Sequence, residues 1–366
     1  MAKRLTFAYP GDLQTATGGY IYDRQVIERL QTLLGWEVTT APLDERFPNV
    51  DQQICDWTAH QLAKTPDQHM LVIDGLALGA MGSSAQIISV RRPFIALVHH
   101  PLALESGLTT DDADWLMQSE RQALRHAQGL VVTSPDTRQT LIEHYGVSDK
   151  PIAVVMPGVE KVAMPAPRAE QPAATRKTIH LLAVGTITPR KGYDILIAAL
   201  GQLKGLSWHL RIVGDTQRST ITTKTLHQQI KALGLNDRVE LMGTLAPKSL
   251  AHHYDESDAF VLTSRYEGYG MAYAEALCHG LPIVATGGGA VRTTLAGSGA
   301  KFVELNDRPS LILALRDVIT NPQTRLTMRQ SAVAFAKHLP TWDDTARQFA
   351  EAITAIHTAS ASHGPN

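Results

Sequence analysis

Short apolar runs alternate with helix-spaced patterns along nearly the whole chain. "RLTFAYP" near the start reads as a strand, and "YDRQVIERLQTLLG" carries apolar positions at helical spacing and ends at Gly35. Further strand candidates are "HMLVIDG", "PFIALVHH", "GLVVTS" and "IAVVMPG", with helices such as Pro135–Tyr145 between them. Short, uniformly apolar runs of this kind suit parallel strands buried on both faces, and βα alternation predicts a doubly wound sheet. The pattern breaks between Glu160 and Lys177, where "EKVAMPAPRAEQPAATRK" is rich in Pro and Ala and has no apolar period, as a linker would. Alternation restarts with "TIHLLAVG", "WHLRIVG", "RVELMGT", "AFVLTS" and "PIVAT". The expectation is an α/β chain of two Rossmann-like parallel-sheet domains facing across a cleft. The first covers 1–160, a linker 161–176, and the second 177–340. A C-terminal helix, 341–366, beginning in "TWDDTARQFAEAITAIH", would cross back to complete the first domain.

Length and composition narrow this only a little. A chain of 366 residues with 44% apolar and 19% charged residues has ample material for two cores. The formal net charge of −1 offers no electrostatic reason to expect nucleic acid as a partner. Cys55 and Cys278 are too few and too far apart for a disulfide scaffold or a zinc site, which fits a reducing cytoplasm. "MAKRLTFAYPGD" enters a strand and turn without the apolar core of a signal peptide, and no apolar run approaches the roughly 20 residues a bilayer span needs. The expectation is a soluble protein, peripheral membrane association remaining open.

In open α/β sheets ligands bind beyond the carboxyl ends of the strands, where loops meet helix N-termini, and the unusual residues fall there. The stretch "TSRYEGYGMAYAEALCHGLPIVAT" sets Glu267 and Glu275 on either side of Gly268-Tyr269-Gly270. On a single helix eight positions would leave the two acids roughly 80° apart. The glycines argue instead for a loop carrying Glu267, then a helix from about Met271 with Glu275 on its second turn. Gly280 and Pro282 end that helix. After "HLLAVG", Arg190 and Lys191 precede Gly192 at a helix entrance; the pair suits a diphosphate and equally suits solvent. Gly18-Gly19 closes the loop after the first strand, where bare backbone could approach a phosphate or sugar, or simply turn. His99 and His100 end the strand in "ALVHHPLALE"; alternation lets one imidazole reach the ligand side, and His100, nearer the strand's end, is preferred. Asp112-Ala113-Asp114 matches a short acidic metal motif but stands at a helix start, where Thr and Asp cap the backbone, so no metal ligand is assigned. Asp255, Glu256 and Asp258 read as a solvated turn. "TGGGAVR" is neither a dinucleotide fingerprint nor a P-loop, which disfavours a nicotinamide enzyme.

Taken together these motifs resemble glycosyltransferase family 4, the retaining enzymes with the GT-B fold and an E-x7-E signature. "SRYEGYGMAYAEALCHGLPIVAT" carries that signature; "VGTITPRKGYDILIAAL", "RIVGD", "RVELMGTL", the early Gly-Gly and the His-His follow the family's order over nearly the whole chain. The resemblance implies a nucleotide-diphosphate sugar as donor, no cofactor and no metal. The acceptor would be a saccharide, a lipid or a small molecule. Glu267 would meet the donor sugar beside the amides of Gly268, Tyr269, Gly270 and Met271, and Glu275 would hold the ribose. Arg190 and Lys191 would neutralise the departing diphosphate, Gly18 and Gly19 would approach it, and His100 would stand near the sugar. The base would lie along Met242 and Gly243. Two departures are visible: "VMPGVE" lacks the family's usual Asn, and "AVRTTL" lacks an acid that many members carry. A nucleotide-sugar epimerase of the same fold and a non-catalytic nucleotide-sugar-binding protein remain alternatives.

Overall fold

The computed structural model describes residues 3–161 and 178–361, so the expected linker lies, but for residue 161, outside the described residues. The chain divides into two compact units, residues 1–158 with 340–366, and residues 159–339. In the first, strands β1 (Arg4–Pro10), β2 (Glu37–Leu43), β3 (Met70–Asp74), β4 (Ile95–Val98), β5 (Gly129–Val132) and β6 (Ile152–Val154) form one parallel sheet of order β2-β1-β3-β4-β5-β6. Helices α1 (Gly18–Thr32), α2 (Gln52–Leu62), α3 (Gly75–Met81), α4 (Ala85–Ser89), α5 (Thr110–His126) and α6 (Pro135–His144) cover it.

The second unit repeats the scheme. Strands β7 (Ile179–Val184), β8 (Trp208–Val213), β9 (Val239–Gly243), β10 (Ala259–Leu262), β12 (Ile283–Thr286) and β14 (Lys301–Val303) order as β14-β12-β10-β7-β8-β9, all parallel. The two-residue strands β11 (Tyr266–Glu267) and β13 (Gly288–Gly289) pair beside it. Its helices are α7 (Tyr193–Leu200), α8 (Thr220–Ala232), α9 (Pro247–Glu256), α10 (Met271–Cys278), α11 (Val291–Leu295), α12 (Arg308–Thr320) and α13 (Pro322–Ala336).

Central strands are mostly apolar because helices bury both faces: every residue of β3, β4, β5, β10 and β12 is buried, with Asp74 and Thr286 the polar residues at the ends of β3 and β12. The edge strands β2 and β14 carry no such run, being half-exposed, and for that reason the hydrophobic pattern does not reveal them.

Helix α14 (Trp342–Ala361) packs in the first unit against α1. Its buried stripe of Ala346, Phe349, Ile353 and Ile356 follows helical spacing, and Phe349 meets Phe7 at 6.3 Å and Tyr22 at 6.4 Å between ring centres. Burying each of the larger side chains is worth about 1.5–3 kcal/mol, so this helix belongs to the core of that unit. Arg29 on α1 also donates to Asp343 at 2.8 Å. Among the described residues no helix is long and apolar enough to cross a membrane.

Candidate active site

In the second unit the singled-out residues converge at the carboxyl edge of the sheet. Strand β7 runs into a loop that ends in a 3₁₀ turn, Pro189–Lys191, and α7 starts at Tyr193. Gly192 joins them at φ 63°; a Cβ there would lie 1.9 Å from the Thr263 carbonyl oxygen, so only glycine fits. Thr263 answers by donating its hydroxyl to the Gly192 carbonyl at 2.6 Å, and the Arg265 amide donates to the Arg190 carbonyl at 2.7 Å. Arg265 also grips Asp194 through two bonds of 2.9 and 2.7 Å. The loop after β10 is thereby fastened to the basic turn, and this fastening delivers Glu267 to the two cations.

Glu267 is buried, 5% exposed. Its Oε1 accepts from Lys191 Nζ at 2.7 Å and from Ser264 Oγ at 2.6 Å, and its Oε2 accepts from Arg190 Nη1 at 3.1 Å. Burial alone would raise its pKa; Lys191 and Arg190, with the bonds from Lys191 and Ser264, outweigh burial and hold it at about 2. Glu267 also belongs to β11, whose pairing with β13 fixes its backbone: the Ala290 amide donates to the Glu267 carbonyl at 2.9 Å. Gly289, at φ 64°, sits so close that a Cβ would stand 2.3 Å from that same carbonyl oxygen.

After Gly268, Tyr269 and Gly270 the chain enters α10 at Met271. Tyr269 is buried and its carbonyl accepts from Thr294 Oγ1 at 2.6 Å. Glu275 lies on the second turn of α10 and is partly buried. Its Oε2 accepts from Tyr254 of α9 at 2.8 Å, while Oε1 has no hydrogen-bond partner among the described residues. Burial raises the Glu275 pKa, opposed by the Tyr254 hydroxyl and Lys191. Tyr254 is itself stacked on His279, ring centres 4.9 Å apart at 13°, and His279 Nδ1 stands 2.8 Å from Asp255. The two glutamates thus differ in what they offer. Glu267 has both oxygens spent on the cationic pair and Ser264, whereas Glu275 keeps one oxygen open. Met242 and Gly243 end β9, one of the two edge strands of this sheet.

In the first unit the same sheet edge carries the remaining candidates. Gly18 and Gly19 are the first residues of α1, placing their amides at a helix N-terminus. The two histidines part company there. His99 Nε2 lies 3.2 Å from Asp23 Oδ1 and 3.2 Å from Asp74 Oδ2, and the ring rests against Gly19. His100, the residue preferred from the sequence, meets Glu105 at 3.5 Å with its side chain 25% exposed.

The acidic stretches resolve differently. Thr109 caps α5, accepting from the Asp112 amide at 3.1 Å and donating to Asp112 Oδ2 at 2.7 Å, so Asp112 takes part in a cap as its setting suggested. The solvated turn expected at Asp255, Glu256 and Asp258 is corrected: Asp255 and Glu256 end α9 and pair with His279 and Arg211, and Asp258 accepts from the His180 amide at 2.8 Å, closing the start of β7. Sequence reasoning passed over Ser264, Tyr254, Asp23 and Asp74. Ser264, three residues before Glu267, left a local trace; the others act across long sequence separations and left none.

Two family models match the chain: "Glycosyltransferase Family 4" over residues 72–161 and "Glycosyl transferases group 1" over residues 168–334. Among curated proteins, mannosylfructose-phosphate synthase of Agrobacterium fabrum is 31% identical over 249 residues, 63% of this chain and 54% of the relative. D-inositol 3-phosphate glycosyltransferase of Kineococcus radiotolerans is 29% identical over 270 residues, 67% of this chain and 61% of the relative. The chain therefore spans little more than half the length of these relatives. Among solved structures, sucrose-phosphate synthase from Thermosynechococcus elongatus superposes with a TM-score of 0.78 at 19% identity, covering 97% of this chain and 100% of that one. The Anabaena protein HepE, solved with UDP-glucose, superposes with a TM-score of 0.73 at 19% identity, covering 96% of this chain and 100% of that one. The fold these likenesses show is of the GT-B type, with two parallel-sheet domains.

Proposed function

Since the chain belongs to the family 4 glycosyltransferases, we propose that it transfers a sugar from a nucleotide-diphosphate sugar to a hydroxyl group, with retention and without a metal. The observation that carries this reading is the pairing of Glu267 with Arg190 and Lys191 beside the N-terminus of α10, with Glu275 four residues further along that helix. The two cations lie where a diphosphate can take over part of their charge, and the open oxygen of Glu275 can accept from a ribose hydroxyl.

Bond cleavage leaves negative charge on the nucleoside diphosphate and an oxocarbenium-like sugar. Arg190, Lys191 and the amides at the start of α10 stabilise the first of these electrostatically. The acceptor oxygen attacks on the face the diphosphate leaves, and a phosphate oxygen receives its proton, so the protein need supply no separate nucleophile. Gly18, Gly19 and the histidines of the first unit stand at the corresponding sheet edge, and we assign the acceptor to that unit.

HepE binds UDP-glucose, and two relatives are named for sugar-phosphate and inositol-phosphate products or acceptors; these are the donor and acceptor classes to try first. The test is a thermal-shift screen of UDP- and GDP-sugars followed by transfer assays with free and phosphorylated polyols. The cognate donor raises the melting temperature by mass action, by about 2.7 kcal/mol of stability at a hundred times Kd. Stabilisation by none of the nucleotide sugars would overturn the reading. Donor binding with no turnover on any acceptor would favour a binding protein, and an altered sugar nucleotide formed without acceptor would favour an epimerase.

A further inference from the structure

Helices α9 and α10 are joined by a grip one turn long. From α9 come two successive residues, Tyr254 and Asp255. From α10 come Glu275 and, one turn on, the C-cap residue His279, whose amide donates to the Glu275 carbonyl at 3.2 Å. The Tyr254 hydroxyl donates to Glu275 Oε2 at 2.8 Å, with the Ala272 carbonyl standing farther off at 3.5 Å. The ring behind that hydroxyl is buried and lies nearly parallel to two others, His279 at 4.9 Å and 13° and Phe260 of β10 at 6.1 Å and 26°. The imidazole is buried too, and its Nδ1 stands 2.8 Å from Asp255 Oδ1.

The links run in one direction, from the surface toward Glu275. The Asp255 carboxylate can only accept, so Nδ1 of His279 carries the proton and donates. That bond stops the imidazole turning about its own axis and fixes the plane it presents to Tyr254. A stacked imidazole held in place limits how far the Tyr254 ring can tilt, and the tilt decides where its hydroxyl lies. The hydroxyl keeps its proton: burial first, then the charge and the bond of Glu275, raise its pKa well above the ordinary value. With Oε2 held by that donor, Oε1 is left for a ligand. Packing alone does not call for this chain of contacts. The Asp255 side chain is 48% exposed, where an ion pair adds little to stability, and an apolar side chain at 279 would fill the space against Tyr254 without an acid to meet it.

We infer that Asp255 and His279 are positioning residues: they fix the ring of Tyr254 and, through its hydroxyl, aim the open oxygen of Glu275 at a ribose hydroxyl. The inference rests on the function proposed above for Glu275. It adds that the aim is set from α9, outside the stretch that carries both glutamates. A carboxylate on a long side chain that is not held beforehand must be ordered when the ligand binds, a loss of about 2–10-fold in affinity.

The experiment is calorimetry on the full chain with UDP and GDP, each beside its 2′-deoxy and 3′-deoxy forms, together with steady-state kinetics. In the wild type, removing the hydroxyl that Glu275 meets weakens binding, and the ratio of the two affinities measures how well Glu275 is aimed. Asp255→Ala lowers that ratio about 2–5-fold by weakening the ribose form alone, and it raises KM for the donor while kcat holds. Asp255→Asn still accepts from Nδ1 and keeps the wild-type ratio. His279→Phe keeps a stacking ring without the N–H and behaves as Asp255→Ala does. In a Tyr254→Phe background Asp255→Ala changes nothing further, because its effect passes through the lost hydroxyl. The Asp255 variants alter a half-exposed position, so they carry the test if His279→Phe does not fold. An unchanged ratio in Asp255→Ala, an equal loss of ribose and deoxy forms, or additive effects of Asp255→Ala and Tyr254→Phe would each overturn the inference. A wild type that binds ribose and deoxy forms equally would also overturn it, leaving sugar transfer untouched. A chain that shows the expected ratios yet transfers no sugar would refute the proposed function and leave the positioning roles standing.

Discussion

Replacing Glu267 with Gln separates two ideas about how this site handles charge. Without donor, the carboxylate neutralises Arg190 and Lys191 at 3.1 and 2.7 Å. A diphosphate that uses the same cations must share them with Glu267. At about 5 Å and an effective dielectric of about 20, one negative charge on phosphate meets the carboxylate with about 3 kcal/mol of repulsion. Glutamine removes that repulsion and still accepts a hydrogen bond from Lys191, at some cost in how firmly the cations are aimed. The net expectation is that free nucleoside diphosphate binds as tightly as to the wild type or about tenfold tighter, which is about 1.4 kcal/mol. Turnover should nevertheless fall by about 10²–10³, because the sugar loses a carboxylate where positive charge develops. Stability supplies an independent reading. Glu267 ionises at about 2 in the folded chain against an ordinary 4.5, so its contribution is present above pH 4.5 and is lost as pH falls through 2. That difference corresponds to on the order of 3 kcal/mol, which the Gln variant lacks near neutrality. Calorimetry with UDP and GDP, beside steady-state kinetics and acid unfolding of both proteins, reads all three effects. A variant whose diphosphate affinity dropped tenfold or more would refute the shared-cation account and make Glu267 simply part of the phosphate site.

Tyr254→Phe removes the 2.8 Å bond to Glu275 while keeping the ring stack on His279, so nucleoside diphosphate affinity should weaken about 3–10-fold with kcat nearly unchanged. Equal affinities in calorimetry would mean that Tyr254 does not orient Glu275. Glu120, fully buried on α5 and accepting from the Leu102 amide at 3.0 Å, has its pKa raised to about 8 by burial, against the pull of that amide and Tyr145. The folded carboxyl keeps its proton where the unfolded one releases it, so its contribution is complete below pH 4.5 and is lost as pH rises through about 8. Melting temperatures of the wild type should therefore fall between pH 5 and 9 more steeply than those of Glu120→Gln, by on the order of 3–5 kcal/mol in stability, and parallel profiles would exclude a protonated Glu120.

Much of the fold was legible because burial on both faces favours a run of apolar residues in a central parallel strand, as in "MLVI" of β3 and "AFVL" of β10. Of the edge strands, β6 and β9 were read from "IAVVMPG" and "RVELMGT", but β2 escaped: "EVTTAPL" alternates weakly between exposed and half-exposed positions and signals neither a strand nor a turn. The site divides along a similar line. Residues whose role depends on local backbone geometry announced themselves through glycine, as at Gly192 and around Gly268 to Gly270, because a left-handed residue or a helix entrance restricts which side chains fit. Residues whose role depends on tertiary convergence did not. Asp23 reads from the sequence as one polar position on an amphipathic helix, yet it is fully buried because His99, 76 residues away, supplies a charge to meet it. The same distinction bears on the two histidines. Both lie beyond the end of β4 at Val98, outside strand alternation, and the acids Asp23 on α1 and Asp74 at the end of β3 are what hold His99 against Gly19. A buried carboxylate on a helix needs a partner, and the partner of Asp23 is visible only once the fold brings His99 to it. His99 is the ring those buried acids engage, 3.2 Å from Asp23 and from Asp74.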